Sequence, residues 1–189
     1  IMNDEKAKEY VDGSGFHLYK GHISALCKVH EAHPDRNLYF TEQSGGGWAP
    51  DFDQNVRWYV GELFVGAMNC WSKNALLWNL ALDENNGPKN FGCQDCYGVV
   101  EINKSGDIKK HAEYYAIAHF GKYIQPNAKR LVSNGEAVKG AAFLNPDGTL
   151  VYMGVYYGSE AKEVLIQTDK KLFSYTFKPG EVVTFKWKE

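Results

Sequence analysis

The chain has no apolar run near the roughly 20 residues that a membrane-spanning helix requires, and its formal net charge is only -2. The first lack excludes a helical span. The second removes any electrostatic case for nucleic acid or an anionic membrane as partner. Metal-binding spacing is thin as well. Cys93 and Cys96 form a Cys-x-x-Cys pair, but Cys27 and Cys70 stand alone, so no second pair completes a zinc set. The glycine-rich run Ser44-Gly45-Gly46-Gly47-Trp48 carries no lysine and no strand-loop-helix context, which excludes a phosphate cradle. No signal-peptide pattern occurs in the 189 residues. The chain opens at Ile1 directly into a helix start, with Asn3 as the expected cap and acids in the first turn. A chain that opens beside a helix cap is expected to be cut from something longer.

What is present is an ordinary folded composition with a surplus of aromatics. At 189 residues there is room for one large domain or two small ones. Aromatics make up 14%, with 5 Trp and 12 Tyr; core packing takes the larger share and stacking on sugar faces the rest. Cys93 and Cys96 sit in a loop before a hairpin, where a local disulfide is expected, and that points to an oxidising, extracytoplasmic compartment. Cys27 and Cys70 fall in helical patterns and are expected as buried thiols.

Periodicity divides the chain in two. Residues 11–19 read as a strand, 23–33 as a helix, 38–41 as a strand, 56–69 as a helix and 75–82 as a third strand. This is a βαβαβ order with short, continuous apolar strands, as expected of a parallel sheet covered on both sides. A strand over 98–102 and a helix over 109–123 follow, the latter with Tyr114, Tyr115, Ile117, Ala118 and Phe120 on a wide apolar face. From about residue 124 the pattern changes to period two, with turn signals about every ten residues, as in a β-sandwich.

The run Asn37-Leu38-Tyr39-Phe40-Thr41-Glu42 is a short apolar strand that ends in a carboxylate and then a glycine-rich loop. Catalytic groups of (β/α) barrels sit where strands end and loops begin. Glu42 is therefore placed to act on a substrate, and the rival reading is a surface glutamate after an edge strand. Glu62, mid-helix, is expected to be solvated. Three parallel strands do not close a barrel, which needs eight strands and about 250 residues. The expectation is the C-terminal part of a larger enzyme.

Phe16-His17-Leu18-Tyr19, Tyr39-Phe40-Thr41-Glu42, Leu77-Trp78-Asn79-Leu80-Ala81-Leu82-Asp83, Gly87-Pro88, Asn90 and His119-Phe120-Gly121-Lys122-Tyr123-Ile124 occur in that order. Together they resemble glycoside hydrolase family 30, which includes glucosylceramidases and endo-β-1,6-glucanases. The resemblance implies a (β/α)8 barrel joined to a β-sandwich, with residues 1–123 carrying barrel strands six to eight and 124–189 the sandwich. It implies that Glu42 is the nucleophile of a retaining β-glycosidase. The acid/base glutamate of an Asn-Glu-Pro motif has no counterpart here, since that triplet is absent from the chain, and it would belong to a missing upstream half.

Tyr19, ending the previous strand, is placed to donate a hydrogen bond to Glu42, with core packing as its alternative, and His17, on the same strand face, is either a catalytic helper or a structural histidine. Trp78 matches a sugar-stacking tryptophan, with plain core packing as its alternative. Asn90 resembles a substrate-binding asparagine, although the loop differs in length. Trp48 is a candidate wall for an outer subsite. The implied substrate is a β-glucan or β-glucoside, the implied compartment extracytoplasmic, and no metal or organic cofactor is implied. A rival from another class is a non-catalytic chain whose sandwich packs or binds glycan, with Tyr156, Tyr157, Tyr175 and Trp187 as candidate exposed aromatics.

Overall fold

The computed structural model describes residues 1–188. After a short helix α1 (Glu5–Lys8), strands β1 (Gly13–His17), β2 (Asn37–Glu42) and β4 (Ser72–Ala75) form a parallel sheet in the order β1-β2-β4. Between β2 and β4 lies a two-residue strand β3 (Gly45–Gly46). Helix α2 (Ala25–Ala32) connects β1 to β2. A long helix connects β3 to β4: it starts as α3 (Phe52–Trp58), widens into a π-helical stretch over Tyr59–Val65 and ends as α4 (Gly66–Asn69). Asp51 caps α3 by accepting from the Gln54 amide at 2.8 Å. The first helix is capped by Asp4, not Asn3, through the Ala7 amide at 3.0 Å.

The pairing of β1 with β2 carries one irregularity that matters for the site. Phe16 lies opposite Phe40, but His17 lies opposite Glu42, so Thr41 is an extra residue in β2. Such a bulge bends the strand and shifts the side-chain alternation that follows it. Leu38 and Phe40 are fully buried among the helices, together with Leu26, Val60 and Leu63. Beyond the bulge it is Gln43 that is buried, while Glu42 stays partly exposed.

The expected third strand over 75–82 does not run unbroken. Its backbone changes partners along the way. The Leu76 and Trp78 amides donate to the Phe40 and Gln43 carbonyls, while the Asn79 and Leu80 carbonyls accept from Val99 and Val100. The segment thus leaves β2 and passes as β5 (Ala81–Leu82) to a second small sheet, β5-β7-β8, with β7 at Val100–Ile102 and β8 at Ile108–Lys110. The Trp78–Asn79 and Gly87–Pro88 peptides are cis. Strand β6 (Cys96–Tyr97) pairs with β3. Lys109 and Lys110, expected in a helix, belong to β8; helix α5 runs from Ala112 to Gly121.

The remaining chain is antiparallel. Strands β9 (Lys129–Leu131), β10 (Lys139–Leu144), β11 (Thr149–Val155) and β14 (Val182–Lys188) form a sheet in the order β14-β11-β10-β9, and β12 (Lys162–Gln167) pairs with β13 (Leu172–Phe177). One buried cluster joins the two parts, since Ala141, Phe143, Val151, Met153 and Val155 pack with Phe40, Val60 and Leu63. Glu62 is not free in solvent as expected: it pairs with Lys139 of β10 and accepts from the Tyr157 hydroxyl at 3.3 Å. The expected row of exposed sandwich aromatics also fails. Tyr156 is buried and donates to the Glu160 carbonyl, Tyr175 packs on Phe177 and Phe185, and Trp187 packs on Phe173; Tyr157 alone of the four is exposed.

Cys27 and Cys70 are not thiols. They form a disulfide with a Cα–Cα separation of 4.5 Å, because the end of α4 meets α2, where Trp71 also stacks on His30, although the two cysteines are 43 residues apart in sequence. Cys93 and Cys96 form a second, local disulfide. The Cys27→Ser/Cys70→Ser variant is expected to lose about 3–4 kcal/mol of stability, the loop-entropy value for a closure of this length. Urea unfolding under non-reducing conditions, with the fully oxidised chain alongside, measures it.

Candidate active site

Glu42 stands at the carboxyl end of β2. The Tyr19 hydroxyl donates to Glu42 Oε1 at 2.9 Å and lies 2.9 Å from Ser44 Oγ. A phenol has one proton to give, so with Glu42 ionised the Ser44 hydroxyl is the donor to Tyr19. His17 Nδ1 is 3.8 Å from the same Glu42 oxygen and its ring meets Tyr19 edge to face, with centroids 5.8 Å apart. The bulge in β2 produces this group, for it turns Glu42 and Ser44 to the face where Tyr19 can reach both. Burial raises the Tyr19 pKa, and the neighbouring Glu42 raises it further, so the phenol keeps its proton and remains a donor at neutral pH.

Of the residues expected at the site, His17, Tyr19 and Glu42 come together. Trp78 adjoins them: its amide donates to the Gln43 carbonyl at 2.9 Å, it bridges to Ser44, and its side chain is 51% exposed. Trp48 lies across Gly46, whose missing Cβ leaves room for the indole, and borders a cavity that Ser44 also lines. Asn90 sits exposed in the loop after β5 with φ of 44° and makes no hydrogen bond to the Glu42 group among the described residues. No second carboxyl joins Glu42, Tyr19 and Ser44 through a hydrogen bond or ion pair among the described residues.

Three residues of this region were not singled out in the sequence. Ser44 follows Glu42 by two. Gln43 is buried with its Oε1 unpartnered. Glu113, in the first turn of α5, is only 2% exposed, and neither of its carboxyl oxygens completes a hydrogen bond, although the Tyr59 phenol faces it. A signal for Glu113 does exist in the sequence. It shares the helical face of Ala116, Ile117 and Phe120, at spacings of three, four and seven, and a carboxylate on an apolar stripe is out of place. Burial raises its pKa, and its own backbone amide and then the Tyr59 phenol only partly offset this.

The pattern of the glycosyl hydrolase family 30 TIM-barrel domain matches residues 1–124. The putative glucosylceramidase 2 of Caenorhabditis elegans is 32% identical over 162 residues, which cover 80% of this chain and 31% of that protein. The endo-1,6-β-D-glucanase neg1 of Aspergillus fumigatus is 30% identical over 156 residues, covering 76% of this chain and 30% of that one. Among solved structures, the endo-β1,6-glucanase BT3312 superposes with a TM-score of 0.89 at 31% identity, over 100% of this chain and 43% of its own. SrfJ of Salmonella typhimurium gives the same TM-score at 22% identity, a likeness of fold. The chain belongs to glycosyl hydrolase family 30. It spans less than a third of the length of the curated relatives it matches.

The buried Glu113 sets a pH dependence. A carboxyl whose folded pKa is raised contributes most below its unfolded value, near 4.5, and that contribution is lost as pH rises through the folded pKa. Glu113→Gln is therefore expected to raise the melting temperature relative to the native chain at pH 8, with the advantage shrinking toward zero below pH ~4. Melting curves of both proteins across that range check the sign.

Proposed function

We propose that this chain is the nucleophile-bearing part of a retaining β-glycosidase acting on β-glucosidic bonds of a glucosylceramide-type glucoside or a β-1,6-glucan. Family membership supports hydrolysis of a glycan. The observation that carries the finer reading is the Tyr19–Glu42–Ser44 hydrogen-bonded group at the carboxyl end of β2. In this reading β1, β2 and β4 are barrel strands six to eight within residues 1–123, and 124–189 are the β-sandwich.

In the reaction Glu42 attacks the anomeric carbon and the leaving oxygen takes a proton from a second carboxyl. A glycosyl ester of Glu42 forms, and water then hydrolyses it. Two carboxyls about 5–5.5 Å apart are needed for this course. The second comes from a segment outside these 189 residues, the proposed upstream half of the enzyme. Tyr19 steadies the Glu42 carboxylate through a charge-assisted bond and holds the attacking oxygen in one orientation. His17, 3.8 Å away, adds a further polar neighbour to the same oxygen. Trp78 offers an open aromatic face beside Ser44 for a sugar ring; Trp48 walls an outer subsite and Asn90, exposed in the loop after β5, hydrogen-bonds substrate. The two disulfides support an oxidising, extracytoplasmic compartment. No cofactor enters this chemistry.

The test is hydrolysis of an aryl β-glucoside and of a β-1,6-glucan, with intact-mass analysis showing which polypeptides are present. The chain alone is expected to turn over natural glucosides very poorly. With the upstream half present, Glu42→Gln is expected to abolish turnover, whereas Tyr19→Phe should lower kcat/KM about 10- to 100-fold, the worth of one hydrogen bond to a charged group. Undiminished turnover in Glu42→Gln would sink the assignment.

A further inference from the structure

Beside the nucleophile strand lies a cavity of about 410 Å³ that Ser44 of the Glu42 group borders on one side. It is bordered by Gln43, Trp48, Asn55, Trp58, Tyr59 and Glu113. Its place follows from the bulge in β2. Glu42 and Ser44 face Tyr19, so Gln43 and Gly45 face the other way, toward the helices. On that side the Gly45 Cα is packed directly against Glu113, leaving no space for a Cβ. The cavity therefore shares a strand with the Glu42 group and lies chiefly on its helix side, with Ser44 at the edge.

Its polar atoms are unusual. Gln43 Oε1 and both Glu113 oxygens are buried and unpartnered, at 8% and 2% exposure of their residues. An unpaired buried acceptor costs free energy that a bound donor would recover. One wall is aromatic: Trp48 lies against Gly46 and is 57% exposed, and Trp58 lines the same cavity. We propose that this cavity is the outer subsite that Trp48 walls, and that it takes one neutral hexose unit, its hydroxyls on Glu113 and Gln43 and its apolar face on Trp48. An organic cation would need Glu113 ionised, which burial opposes. A carboxyl in either form accepts from a sugar hydroxyl, and Gln43 Oε1 accepts from another. A sugar held there would brace the Gly45–Gly46 backbone immediately after Glu42 and Ser44. The inference rests on the carbohydrate reading of the protein, but its test does not require turnover.

Saturation-transfer NMR and tryptophan fluorescence on the full 189-residue chain, with D-glucose and gentiobiose as probes and tetramethylammonium chloride as the cationic control, decide it. Native chain and Glu42→Gln are expected to bind the sugars equally. Trp48→Ala and Glu113→Leu are expected to weaken binding about tenfold or more, with circular dichroism showing that both remain folded; Trp48, being exposed, is the safer of the two. Three results would overturn the proposal: no sugar binding by the native chain, preference for tetramethylammonium, or binding that survives Trp48→Ala and Glu113→Leu. With the upstream half present, sugar binding without any hydrolysis would leave it standing while removing the enzymatic reading, and hydrolysis without this binding would do the reverse.

Discussion

One extra residue in β2 governs the region around Glu42. With strict alternation, Leu38, Phe40 and Glu42 would share a face, and the carboxylate would enter the core beside Val60 and Leu63. An unpaired charge there would cost several kcal/mol. The bulge at Thr41 separates the two demands. Leu38 and Phe40 anchor the strand in the helical core, and Glu42 turns away to meet Tyr19. Because β1 pairs in register up to Phe16 and then shifts, the same bulge brings His17 opposite Glu42.

The two parts of the chain hold each other in place through one core and a few polar ties. Residues of β10 and β11 pack on the π-helical stretch, whose Gly61 lets the Tyr157 hydroxyl approach the helix backbone. Lys139 and Tyr157 satisfy Glu62, and burial beside that carboxylate pushes the Tyr157 pKa up to about 12. Farther along, buried Asn145 accepts from the Gln125 amide and donates to the Tyr123 carbonyl and Thr149 Oγ1, which fixes the β10–β11 turn against the end of α5. Within that turn Asp147 accepts from Thr149 and its pKa falls to about 2.

Much of this was legible in the sequence, and the failures share a cause. The βαβαβ order, the turn Asn145–Gly148 and the meeting of His17, Tyr19 and Glu42 follow from periodicity and from a resemblance carried by short motifs. A bulge leaves no mark in periodicity, so it was not foreseen. The break within 75–82 depends on which neighbouring backbone offers hydrogen bonds, a tertiary matter. Cys27 and Cys70 looked isolated because their closeness comes from the end of α4 meeting α2. Tyr156, Tyr175 and Trp187 looked exposed because period two assigns faces but does not say which face is covered. Glu113 was readable from its helical stripe, and the stripe was read for its apolar members only.

The cross-link between Cys27 and Cys70 encloses β2, the glycine loop and most of the following helix within a single covalent ring. The loop over 44–50 is the natural point of attack for a protease, being rich in glycine and exposed at Gly47 and Trp48. A cut there would open the ring without dividing the molecule. Both ends would stay tethered through α2 and α4, and reduction of one disulfide would be required before the nucleophile strand could be lost from the rest.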